Sequence, residues 1–219
     1  MGAGGAVVSR LALAVVVAAG LVGCGAEPDA APPDADAAFS ADAGPEATPL
    51  GVDVATAVIS ELDGSGVSGT VTFREVEDAL RVRVRLEGIA PGEHGFHVHE
   101  GGSCAPDSAG TPGGAAGGHL NPLVSPHGPP SAEPTERHAG DLGNVTAGPD
   151  GVAAGVAVDS VLALSGPTSV VGHAVIVHAG RDDLESQPSG AAGARVGCGV
   201  VREGEPPGGA AAESAPPGP

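Results

Sequence analysis

The sequence predicts an all-β domain, and three observations carry that reading. Between Leu50 and Arg202, apolar residues alternate with polar ones instead of recurring at helical spacing. No window of a dozen residues is amphipathic as a helix would be. Clusters of Gly, Pro and Asp punctuate the alternating runs, as turns do. Many short strands with Gly-rich connections pack as a sandwich or a flattened barrel.

In GTVTFRE, Val71 and Phe73 lie on one face of an extended strand. In LRVRVRLEG, Val82, Val84 and Leu86 alternate with Arg81, Arg83 and Arg85, so both runs read as half-buried antiparallel strands. GFHVHE, Gly95 to Glu100, sets Phe96 and Val98 on one side of a strand and His97 and His99 on the other. AAGVAVDS, SVLALSG, HAVIVHA and VGCGVV read as further strands, and Gly148-Pro149-Asp150-Gly151 as a turn. The domain has no Trp or Tyr and only Phe73 and Phe96 as aromatics, so its core must be Val, Ile, Leu and Ala. A core that thin calls for a staple.

The flanks differ in character. Residues 1–24 read as an export leader: Arg10 supplies the one positive charge, and Leu11 to Val22 is apolar. At about twelve residues this run is shorter than the roughly 20 needed to span a bilayer. Leu21-Val22-Gly23-Cys24 resembles the lipobox of bacterial lipoproteins, which implies that Cys24 carries lipid and becomes the mature N-terminus. The expected destination is the cell envelope, with the chain held to a membrane by its lipid. Residues 25–49, rich in Ala, Pro, Asp and Gly, read as a disordered acidic tether, and residues 203–219 as a disordered tail of the same kind. Residues 50–202 are left as one domain. The formal net charge is −18, and there is no Lys anywhere in the chain. With no basic stripe, a nucleic-acid partner is excluded.

Once Cys24 is set aside, Cys104 and Cys198 remain, and in an exported chain the default is that they pair. Three cysteines admit three pairings, and only the lipid assignment of Cys24 selects this one. Eight histidines are many for a small exported domain. His119, His127, His138 and Asp141 fall in a long loop between Gly113 and Gly143, and metal coordination is a direct way to order such a loop. His178 closes HAVIVHA. His94 and His173 stand at odd separations from His97 and His178, so strand parity turns them away and they read as structural. Six histidines and one aspartate are left, which suits two ions rather than one.

The motifs GFHVHE, GGHLNP, HAGDLGNV, VIVHAGRDDL and GARVGCGVV, in this order across residues 55 to 201, resemble the copper/zinc superoxide dismutases. The resemblance implies an all-β fold, an eight-stranded Greek-key β-barrel or sandwich of immunoglobulin-like kind with long metal-binding and electrostatic loops. It assigns copper, cycling between Cu(II) and Cu(I), to His97, His99, His119 and His178. It assigns zinc to His119, His127, His138 and Asp141, with His119 shared. Asp182 then links His97 and His127, and Arg195 guides the anion. The implied reaction converts superoxide to dioxygen and hydrogen peroxide, with His119 carrying a proton, and would protect the envelope from superoxide arising outside the cytoplasm. Monomer and homodimer both stay open. This sequence departs from the family in DLESQPSGAAGAR, which lacks Lys, so long-range attraction rests on Arg181 and Arg195. The Gly-rich insertion APDSAGTPGGAAGG after Cys104 has no conformation assignable from sequence.

Overall fold

A computed structural model describes residues 54–206, so the leader, Cys24, the acidic tether and most of the tail lie outside the described residues. The described strands are β1 (Val54–Glu61), β2 (Ser68–Val76), β3 (Ala79–Glu87), β4 (Gly92–His99), β5 (Asp141–Ala147), β6 (Val152–Asp159), β7 (Ala174–His178), β8 (Arg195–Val200) and β9 (Arg202–Glu203). Their order is β2-β3-β6-β5-β4-β7-β8-β1-β9, and β1 also pairs with β2. Eight strands therefore close into an antiparallel ring, and β9 continues the line of β8 along β1. The chain leaves β3 for β4 on the far wall and returns through β5 to lay β6 beside β3, which is the expected Greek key.

The ring is unevenly closed. β5 and β6 share one residue pair, Ala147 with Ala153, and β8 is in paired register with β1 at two residues, Cys198 and Gly197. The result is two four-stranded walls, β1-β2-β3-β6 and β5-β4-β7-β8, facing each other across the core. Alternation decides what points inward. Leu80, Val82, Val84 and Leu86 of β3 are buried, and register places Val82 opposite Phe73 and Val84 opposite Val71. Phe73 and Phe96 are fully buried, and the rest of the core is aliphatic, as the composition requires.

β4 and β7 break the alternation because both of their faces are covered. Phe96, Val98, Val175 and Val177 fill the main core. On the outer face Ile176, Ala174 and Cys198 form a second small cluster with Ala116, Leu62 and Cys104. The loops that cover this outer face, 100–140 and 179–194, enclose the histidines.

Three local expectations change. SVLALSG is not a strand: Asp159 Oδ1 accepts the amides of Val161 and Leu162 at 2.8 and 2.7 Å, which ends β6, and Leu162 turns into the core. β1 and β5 escaped the alternation reading, since Ala55 and Ala57 are weakly apolar and β5 is buried on both faces. The disorder expected from Glu203 does not hold at the residues described there, since Glu203 pairs with Ala55 in β9 and Glu205 meets Arg74 at 2.6 Å.

Candidate metal centre

β4 delivers His97 and His99 together, since strand alternation sends both to the covered outer face while Phe96 and Val98 anchor the core. β7 delivers His178, where a register shift sets it opposite Arg195 of β8. His119 is tied to β4 by an isolated bridge to His99, and Leu120 exchanges backbone hydrogen bonds with Val98 and Gly140. His127 and His138 come from the loop, and Asp141 opens β5.

These side chains converge in two sets. One ligand atom from each of His97, His99, His119 and His178 lies within 4.8 Å of the others, and the same holds for His119, His127, His138 and Asp141. His119 belongs to both, and all seven residues are buried. Every expected ligand is therefore brought together, while His94 and His173 stand in neither set.

The partners of each ring identify which nitrogen is left over. His97 Nε2 is 2.6 Å from Asp182 Oδ2, His99 Nδ1 is 3.0 Å from the carbonyl of Gly117, and His178 Nδ1 is 3.1 Å from that of Gly193. Their other nitrogens, together with His119 Nε2, are buried without a hydrogen-bond partner. Four buried, unsatisfied imidazole nitrogens are costly unless something accepts their lone pairs, and a cation is that acceptor. In the second set, His119 Nδ1 and His138 Nδ1 lie 2.6 and 3.1 Å from Asp141 Oδ1. His127 Nδ1 approaches the same oxygen at 3.0 Å. Three imidazoles and one carboxylate form the closed set that suits zinc, and an all-imidazole set suits copper. The residues fit both ions.

Asp182, fully buried, spans the sets, its Oδ1 lying 3.0 Å from His127 Nε2. Its own backbone is clamped by Asn144, which accepts from the Asp182 amide at 2.7 Å and donates to its carbonyl at 2.9 Å. Burial pushes His97 down to about 3 and His178 to about 4, so both rings stay neutral as ligands must. Burial also opposes charge on His127, but its hydrogen bonds to Asp141 and Asp182 prevail and raise it to about 9. Burial works against ionised Asp141 and Asp182 too, yet hydrogen bonds from the histidines hold both well below the usual carboxylate range.

Sequence reasoning missed two supports. Arg137, almost fully buried, donates to the carbonyls of His138, Ala139 and Asp141 and pairs with Asp159 at 2.6 Å. Asn144 holds Asp182. His94, by contrast, is structural as expected, lying 2.8 Å from the carbonyls of both His178 and Ala90 and fixing the end of β7. A lone Arg or Asn gives no spacing signal, so nothing in the pattern singled them out.

The half-buried Arg195 donates to the carbonyls of Gly113 and Gly117 and has its charge opposed by burial. Cys104 and Cys198 are disulfide-bonded with a Cα separation of 5.8 Å, pinning the start of the inserted loop to β8. Arg181, the other cation expected to attract substrate, pairs with Glu93 at 2.9 Å, which tempers its field.

The family model described as copper/zinc superoxide dismutase (SODC) matches residues 67–201, which is more than half of the chain and takes in every histidine of both sets. The closed Greek-key barrel, the two ligand sets joined at one imidazole and this match agree, and the chain belongs to the copper/zinc superoxide dismutase family, oxidoreductases that bind copper and zinc.

Proposed function

We propose that the chain dismutates superoxide with copper held by His97, His99, His119 and His178, and zinc held by His119, His127, His138 and Asp141. The observation that carries this division is that each of His97, His99, His119 and His178 turns a buried nitrogen without a hydrogen-bond partner into one cluster, one of them on the ring that also faces Asp141. When bound, copper supplies a reversible one-electron store and zinc a fixed positive charge.

The chain's own groups do the rest. Asp182 orients the His97 and His127 rings through the Nε2 of each. His119 Nε2 takes up a proton in one half of the cycle and returns it to the forming hydrogen peroxide in the other, while Nδ1 stays fixed beside Asp141. Arg195, a cation at every relevant pH, docks the monoanionic substrate. Two superoxide anions and two protons give one dioxygen and one hydrogen peroxide.

Protection of the cell envelope is part of the same reading. It rests on the lipobox-like residues ending at Cys24, which would carry a lipid anchor to a membrane, with the acidic segment 25–49 as tether. Metal analysis of the purified protein tests the centre: one copper and one zinc per chain are expected, and uptake of zinc alone overturns it. A copper- and zinc-loaded sample that consumes superoxide no faster than buffer overturns the activity. Labelling with radioactive palmitate, present in the native chain and absent in Cys24→Ser, tests the anchor.

A further inference from the structure

The inserted loop after Cys104 is folded around one side chain. Asp107 Oδ1 accepts the amides of Ala109 and Thr111, each at 2.9 Å. Its backbone closes the same turn, with the Asp107 amide donating to Thr111 and the Gly110 amide donating to Asp107. The other carboxylate oxygen lies against Gly114, so closely that a Cβ there would stand 2.5 Å from it. Gly114 opens the 3₁₀ turn Gly114–Ala116, and the residues bounding that turn, Gly113 and Gly117, are the two whose carbonyls hold Arg195. Asp107 is exposed, and the hydrogen bonds from Thr111 and Ala109 keep it ionised.

Building on the dismutase reading, we propose that Asp107 is a positioning residue with two opposed effects on the docked anion. By folding the loop it aims the Gly113 and Gly117 carbonyls that orient Arg195, and by its charge it weakens the pull of Arg195 on anions. The loop geometry supplies the first effect. The second follows from placing a full negative charge one residue from a carbonyl that touches the guanidinium, and the charge of Asp107 acts on Arg195 in that sense.

Two variants separate these effects. Asp107→Asn keeps an oxygen that can accept from Ala109 and Thr111 but removes the charge, whereas Asp107→Ala removes both. Azide, a small anion that gives an absorption band on binding copper, reports docking without turnover, so the test stands even if the loaded protein proves inactive. In the copper- and zinc-loaded full chain, Asp107→Asn should bind azide about two- to fourfold more tightly at low salt. That gain should vanish near 0.5 M salt, where the screening length is only about 4 Å. Asp107→Ala should bind azide more weakly than the native chain at either salt, because Arg195 loses its fixed orientation. Any result in which the two variants behave alike, including no change in both, overturns the proposal. So does a gain in Asp107→Asn that salt does not reduce.

Discussion

Gly190 stands where any side chain would collide with Asp182. A Cβ at position 190 would fall inside the contact radius of Asp182 Oδ1 and lie 2.7 Å from His127 Nε2, and the backbone there has φ +65°. The carboxylate that spans the two ligand sets therefore depends on one missing side chain in the loop above it.

Gly190→Ala should displace Asp182 and release the orientation of both His97 and His127. Loss of such a partner commonly lowers metal affinity about 10- to 100-fold. Competition with a chelator, measured separately for zinc and copper, checks this, and both affinities are expected to fall.

Arg137→Ala should cost about 3–5 kcal/mol, since it strands the buried carboxylate of Asp159 and the carbonyls of His138, Ala139 and Asp141. Asp159→Asn in the same chain should recover part of that loss. Urea unfolding of the two single variants and the double variant reads the coupling directly.

Zinc uptake should release about one proton per chain at pH 7.5, because His127 is protonated there and must give up its Nδ1 proton to become a ligand. Calorimetry in buffers of different ionisation enthalpy counts the proton. His97 and His178, already neutral, should release none when copper binds.

The metal-free protein should be most stable near pH 6.5 to 7. His97 and His178 have lowered values, so between about 3 or 4 and the ordinary 6.5 the unfolded chain binds more protons and stability rises with pH. The depressed Asp141 and Asp182 act in the same direction at lower pH. His127 has a raised value, so its contribution is complete below 6.5 and is lost as pH climbs through about 9. Urea midpoints at pH 4.5, 6.5 and 9.5 should show the maximum at the middle value.

Reducing the Cys104–Cys198 bond, which closes a sequence separation of 94, should lower stability by about 4–5 kcal/mol in the chain-entropy account. Because the same bond anchors the loop that holds Arg195, azide affinity should drop before the barrel unfolds. A denaturation series with and without reductant, read by azide absorption and by circular dichroism, separates the two events.

The sequence by itself determined the all-β class, because the alternation of Val82, Val84 and Leu86 with three arginines admits no helix. It also marked the seven residues that converge in the two candidate metal sets, since a rigid strand makes His97 and His99 neighbours on one face, and the family-like motifs mark the others. Tertiary structure decided what periodicity does not encode. Strands β1 and β5 are specified by the partners that bury them, and SVLALSG is kept from being a strand by Asp159 capping its amides. Only the folded chain brings Asn144 to the amide and carbonyl of Asp182, 38 residues away, and Arg137 to Asp159, 22 residues away. Backbone groups carry no residue identity, so contacts made to them leave no trace in the sequence until the chain is folded.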